Sequence, residues 1–268
     1  STDGINWTEG TMPSSQYWVN ICYGNNVFVA AARNSASQFY YSFDGIIWKT
    51  HDTPNKEPIN HILYNDSKFI GLTYTNSKYK QFEMTINPVK KSNPSAWFVV
   101  DDSKLGEYEL ESWTQGTMPN TQGWRSVCYG NGKFVAVSGS SSSSNVFTYS
   151  TDGINWTEGT MPSSQEWQSV CYGNDKFVAV SIDSNIFAYS TDGINWTQGT
   201  MPSSKDWISV CYGNDKFVAV CWSSNVFAYS TDGINWTQGT MPSKQNWRSV
   251  CYGNGKFVAV SGSSSSSN

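Results

Sequence analysis

Residues 150–189 read STDGINWTEGTMPSSQEWQSVCYGNDKFVAVSIDSNIFAY, and residues 190–229 read STDGINWTQGTMPSSKDWISVCYGNDKFVAVCWSSNVFAY. A tandem period of about 40 residues with four short apolar runs per unit is the pattern of a β-propeller blade. One four-stranded sheet cannot cover its own faces, and stacking it against further copies buries them. Working outward, the Trp after the DGxx turn recurs as Trp7, Trp48, Trp113, Trp156, Trp196 and Trp236, and the hairpin Tyr as Tyr23, Tyr64, Tyr129, Tyr172, Tyr212 and Tyr252. Both series predict an all-β, six-bladed β-propeller of four-stranded antiparallel blades, occupying residues 1–268 as one domain. The spacing stretches only between Trp48 and Trp113. That surplus is too short for another blade and is read as insertions in the second blade, at about 75–93 and 101–109.

Within one unit, WQSVCYG (167–173) reads as the innermost strand, buried on both faces. Asn174-Asp175 is a tight hairpin turn, and Lys176–Val180 pairs back. Ser181–Asn185 is a polar loop, Ile186–Ser190 the third strand, Asp192-Gly193 a second turn with glycine at positive φ, and Ile194–Thr197 the outer strand. Gly199–Asp206 then crosses to the next blade. In blade two, Thr75–Asn93 reads as a protruding excursion, with Ala96–Val100 resuming the third strand. The chain opens midway through a repeat and stops where a VFAY-like strand is due. This predicts a sixth blade one strand short or, the preferred reading, a piece of a longer chain. Ser1–Trp7 is then expected to supply an outer strand beside the blade containing Trp247–Val260.

The turn Ser-x-Asp-Gly-x-x-Trp stands at Ser1–Trp7, Ser42–Trp48, Ser150–Trp156, Ser190–Trp196 and Ser230–Trp236, and it has decayed to DDSKLGEYELESW before Trp113. It resembles the Asp-box of sialidase-like (BNR) propellers, with Asp and Gly adjacent where the usual box separates them. The resemblance implies a structural device: the Asp caps turn amides and the Trp packs between sheets. Near-identical tandem blades also resemble those of bacteriophage tail and receptor-binding proteins and of bacterial surface proteins. That likeness implies an extracellular, cell-surface or virion setting and a glycan or protein receptor as partner, possibly within a larger assembly.

Composition narrows the chemistry. The net charge of −4 and the lack of any Lys/Arg run leave no stripe for nucleic acid. No apolar stretch approaches a membrane span, so no membrane insertion is expected. Cys22, Cys128, Cys171, Cys211 and Cys251 share one repeat position and read as small buried hydrophobes rather than disulfide partners, with Cys221 the only one outside that series. The chain has three arginines, Arg33, Arg125 and Arg248. A sialidase-like site would need three of them converging on a carboxylate, whereas Arg125 and Arg248 occupy one repeat position. Most acidic residues belong to boxes or hairpins, and no carboxylate pair, metal-ligand spacing or phosphate loop stands out. The expectation is a protein that is not an enzyme and takes no cofactor or metal, with an Asp-box glycoside hydrolase and a purely structural disk as the alternatives.

The repeats differ in two places. One is the crossover before the inner strand, around Tyr17, Trp18, Trp124, Arg125, Trp167, Asp206, Trp207, Trp247 and Arg248. The other is the loop between strands two and three (RNSASQ, SGSSSSSN, SIDSN, CWSSN). Both connections leave one edge of each blade, and loops on a rigid scaffold are where binding residues reside. The crossover Trp series is open to two readings, an inter-blade wedge or a ligand platform. Trp222 occurs once, in a loop that is Ser-rich elsewhere, and is the better candidate for exposed recognition.

Overall fold

The computed structural model describes residues 1–14, 16–33, 38–52, 61–65, 68–75, 78–84, 118–120, 122–139 and 144–262. The contacts divide the chain into two compact units, residues 1–8 with 113–250 and residues 9–112 with 251–268. In the second unit, β1 (Tyr17–Gly24), β2 (Val27–Arg33), β3 (Gln38–Ser42) and β4 (Lys49–Asp52) form an antiparallel sheet in sequential order, and β5 (His61–Asn65), β6 (Lys68–Thr75) and β7 (Lys78–Met84) form another. The first unit holds three four-stranded sheets. These are β8 (Trp124–Gly130) to β9 (Lys133–Ser138), β10 (Ser144–Ser150) and β11 (Thr157–Gln165); β12 (Trp167–Gly173) to β13 (Lys176–Ser181), β14 (Ser184–Ser190) and β15 (Thr197–Lys205); and β16 (Trp207–Gly213) to β17 (Lys216–Cys221), β18 (Ser224–Ser230) and β19 (Thr237–Gln245). A hairpin of β20 (Trp247–Gly253) and β21 (Lys256–Ser261) follows. The architecture is all-β, built of antiparallel blades that follow the sequence repeat.

The first hairpin of each blade turns on residues that tolerate positive φ. Asn174 and Asp175 sit at 44° and 55°, and Asn214 and Asp215 at 44° and 56°. Two successive left-handed residues make the turn whose twist matches the flanking strands. Tyr172↔Phe177 and Tyr212↔Phe217 face each other across these hairpins. First strands of successive blades lie side by side in the first unit, linked by Val170 N–H donating to Ser126 Oγ and Val210 N–H to Ser169 Oγ, both at 3.2 Å. Between the sheets, Trp167 packs with Val137, Phe147 and Met161, and Trp207 with Val180, Phe187 and Met201.

Four expectations change. The outer strand runs over Thr197–Lys205 rather than Ile194–Thr197, so the crossover into β16 is Asp206 alone. Its register (Phe187↔Gly199, Ala188↔Gln198, Tyr189↔Thr197) explains why: a Cβ at Gly199 would fall inside the Phe187 ring, so glycine lets that ring lie against the strand. Pro202 is tolerated because this strand is an edge. Second, Lys78–Met84 is a strand paired with β6 from Thr75↔Lys78 to Phe69↔Met84, so this part of 75–93 extends a sheet instead of protruding. The remainder of that insertion, the Ala96–Val100 strand and the 101–109 insertion lie outside the described residues. Third, residues 1–8 carry no strand. They fold as a box turn whose Trp7 meets Phe227 edge-on at 5.7 Å, as Trp196 meets Phe147 and Trp236 meets Phe187. Fourth, Cys221 is fully buried, its Sγ donating to the Val226 carbonyl at 3.0 Å, as the Ser181 hydroxyl does to Ile186.

The boxes work as turn caps. Asp192 Oδ1 accepts from the amides of Ile194 and Asn195 at 2.8 Å and from the Ser190 hydroxyl at 2.9 Å, and Oδ2 accepts from the Asn195 side chain at 2.8 Å. Each box Trp lies between two sheets, Trp196 touching Phe147 and Phe177, and Trp236 touching Phe187 and Phe217. These bonds hold the carboxyls well below the usual range. At Asp3 the Asn6 amide leads, and at Asp152 the Asn155 side chain. At Asp192 and Asp232 partial burial acts upward but is outweighed by the Asn195 and Asn235 amides and side chains. A carboxyl whose folded pKa lies below its unfolded value, near 3.9, stabilises fully above that value and less as pH falls through the folded one. Stability is therefore expected to hold from neutrality to about pH 5 and to decline below about pH 4. Denaturant midpoints measured against pH check this. A slope between pH 4 and 2 that Asp192→Asn and Asp232→Asn leave unaltered would count against it.

The repeated cysteines are free thiols. Burial pushes Cys22 and Cys128 up to about 12, and Cys171 and Cys211 also rise, Cys171 first by burial and then by its neighbours Cys128 and Cys211. Each keeps a partly exposed surface, yet the surrounding protein strongly disfavours the thiolate, which is the reacting species. A chromogenic disulfide reagent at pH 8 is expected to label none of these four quickly in native protein and all of them after denaturation. Fast native labelling of two or more would refute the shielding.

Candidate functional site

Trp222 and Ser223 form the turn between β17 and β18, with Ser223 at φ 51° where the neighbouring blade places Asp183 at 54°. The turn is anchored by Trp222 N–H donating to the Asp206 carbonyl at 2.9 Å. Ile182 N–H repeats the bond to Glu166 at 3.1 Å, and Gly139 N–H to Gly123 at 2.9 Å. Each strand two–three loop is thus tied to the crossover that opens its own blade. Asp206 also reaches backward, its Oδ1 accepting from the Asp183 amide of the preceding blade at 3.1 Å. On the other side, the Arg248 guanidinium lies over the Trp222 ring, its central carbon 3.6 Å from the ring centroid. Cation–π stacking of this kind contributes on the order of 0.5–2 kcal/mol.

Three of the residues that distinguish the repeats, Asp206, Trp222 and Arg248, therefore meet at one end of the first unit's sheets. Trp222 is half-buried rather than freely exposed, because Arg248 covers a face of its ring. Arg125, the repeat counterpart of Arg248, is exposed and donates from Nε to the Gly139 carbonyl at 2.8 Å. Tyr17 belongs to the second unit, where it pairs with Arg33 across β1 and β2 and bridges to Gly262.

The crossover Trp series is corrected. Trp167 and Trp207 are fully buried, Trp18 is 4% and Trp247 8% exposed, and only Trp124 is half-exposed. Trp247 Nε1–H donates to the Ser224 carbonyl at 3.0 Å, and Trp18 meets Tyr40 edge-on at 4.5 Å. These indoles open each first strand and wedge into the core, so Trp18, Trp167, Trp207 and Trp247 present no stacking face to a ligand. Their invariance across the copies was the signal for packing.

Sequence reading passed over one surface. In the second unit, Ile46 and Ile47 are 54% and 66% exposed. With Glu9–Pro13 and Trp48 they line an open groove of about 390 Å³. The signal was Ile47, which stands where the other boxes carry Asn6, Asn155, Asn195 and Asn235.

Chemically, the Trp222 cluster offers an aromatic plane, a permanently charged guanidinium and a carboxylate. The carboxyls held low are box residues already occupied by turn amides. Among the described residues no group of three or more His, Cys, Asp or Glu could hold a metal ion, and no helix is long and apolar enough to cross a membrane.

No family model and no curated protein matches the chain. Among solved structures it is similar to virginiamycin B lyase from Staphylococcus aureus, with a TM-score of 0.63 and 15% identity over 92% of this chain and 93% of that one. It is also similar to YCF48 from Cyanidioschyzon merolae, with a TM-score of 0.60 and 11% identity over 95% and 96%. A Bacteroides thetaiotaomicron protein of unknown function aligns with a TM-score of 0.56 and 11% identity over 92% and 67%. At such identities the likeness speaks for fold alone. The structural neighbours are β-propellers with repeated four-stranded blades.

Proposed function

We propose that this chain is a non-catalytic recognition module whose six repeats form the blades of one propeller. It binds a glycan or a protein loop through the end of the sheets that carries the crossovers and strand two–three loops. The observation that carries this reading is the meeting of Asp206, Trp222 and Arg248 at one place, since these are positions at which otherwise near-identical repeats diverge. A stacked Trp–Arg pair beside a carboxylate joins aromatic area to charged donors and acceptors, which polar ligands require. Arg125 extends the same chemistry one repeat position away, and Tyr17 offers a further aromatic. The setting implied by the Asp-box resemblance, a bacterial surface or a virion, supplies the partner class.

A glycan array and a panel of surface proteins, probed with wild type, Trp222→Ala and Arg248→Ala, test this reading. Truncating either side chain is expected to weaken binding by about 2 kcal/mol, roughly thirtyfold. Asp232→Asn, in a box turn, should lower stability while leaving affinity unchanged. A ligand seated on the opposite, hairpin end would overturn the assignment. Absence of any ligand would favour a structural disk, and turnover of a fluorogenic sialoside would replace binding with glycoside hydrolysis.

A further inference from the structure

Residues 8–16 and 157–165 share one sequence, TEGTMPSSQ. The second copy is β11, paired with β10 through Val146↔Thr160, Phe147↔Gly159 and Thr148↔Glu158. The first copy forms no strand, and its one ladder contact is an isolated bridge from Thr11 to Ile47. The equivalents of its glycine explain what differs. At Gly159, Gly199 and Gly239 an added Cβ would fall inside the ring of Phe147, Phe187 or Phe227, so each glycine is occupied by a third-strand Phe. At Gly10 nothing lies closer to that point than the Ile46 carbonyl at 3.5 Å.

The other side of the same gap is β21, which pairs with β20 and with no third strand among the described residues. Val178 and Ala179 of β13, and Val218 and Ala219 of β17, are fully buried under β14 and β18. Their counterparts Val258 and Ala259 are partly exposed. Both edges belong to the second unit. The sheet has a first and a second strand, the sequence of a fourth, and a third-strand position whose pattern the other blades define.

The geometry points to a strand-accepting site between β21 and residues 9–12. The occupant is an extended segment of the repeat's own third-strand sequence, Asn-(Val/Ile)-Phe-(Ala/Thr)-Tyr-Ser, offered from outside residues 1–268. By the register of the intact blades its Phe lies opposite Val260 and Gly10, its Val opposite Thr11 and its Tyr opposite Val258. Main-chain hydrogen bonds to an open sheet edge supply affinity and the Phe pocket at Gly10 supplies specificity. This site is independent of the Trp222 cluster.

A labelled peptide SNVFAYSTDG, the sequence of residues 224–233, titrated into the 268-residue chain and followed by fluorescence anisotropy, tests it. Saturable binding is expected, with slowed amide exchange at Lys256–Val260 and at residues 9–11. Replacing the peptide's Phe with Asp should weaken binding at least about tenfold, or 1.4 kcal/mol. The protein variant Gly10→Val should weaken it similarly with Tm unchanged, since nothing crowds a side chain at that position now. No binding at millimolar peptide, or equal binding by both variants, would overturn the proposal. So would a dimer of the chain in which Lys256–Val260 is protected before peptide is added, which would place a second copy in the gap.

Discussion

Replacing Trp207 with alanine is expected to lower the unfolding free energy by about 3–5 kcal/mol, the range for a large aromatic removed from a core that cannot collapse around the void. Trp207 is fully buried among Val178, Val180, Phe187, Met201, Val210 and Phe217, which come from two successive blades. Its Nε1–H donates to the Ser203 carbonyl at 3.3 Å, so truncation also leaves that carbonyl to find another donor. Equilibrium urea unfolding followed by circular dichroism measures the change. Trp222→Ala, at a half-buried turn, should cost no more than about 1–2 kcal/mol, the scale of the cation–π contact it loses. A loss under about 1 kcal/mol for Trp207→Ala would mean that the indole is not the wedge between these sheets.

Gly173→Ala is the second large effect, and it comes from a methyl group added rather than removed. The new Cβ would overlap Cγ of Tyr212 and lie 2.5 Å from its Cβ, in the next blade. Those atoms are the root of the ring, fixed by the β16 backbone, so no rotamer change relieves the overlap and one sheet must shift against the other. The same approach recurs at Gly130 with Tyr172, and in the second unit at Gly24 with Tyr64 and Gly253 with Tyr23. A destabilisation of about 3 kcal/mol, the upper part of the overpacking range, is expected. Part of it should return in the double variant Gly173→Ala/Tyr212→Ala, because the cycle isolates the steric term. Additive losses would place the strain elsewhere.

These effects frame how much of the molecule could be read from the chain. The strands WQSVCYG and KFVAV, the Asn-Asp and Asp-Gly turns and the box caps depend on side-chain alternation and on which residues accept positive φ, and both properties are local. Duplication made them readable six times over. The shielded thiols followed as well, because residues at one repeat position enter equivalent surroundings. The outer strand was misplaced because TQGTMPSSK lacks apolar alternation. What makes it a strand is the Phe187 ring lying over Gly199, a contact with a neighbouring strand that no periodicity in its own residues reveals.

The candidate site divides along the same line. The sequence by itself determined that variation collects at the crossovers and the strand two–three loops, and that Trp222 is unlike its counterparts. Only the tertiary structure decided which of the tryptophans could meet a ligand. Trp207 and Trp222 look equally available in a string of letters, yet one fills the space between two sheets while the other caps a turn beneath an arginine. Burial depends on what the next blade brings against a residue. So does the gap beside β21, since TEGTMPSSQ becomes a strand where a Phe-bearing neighbour covers its glycine and remains unpaired where none does.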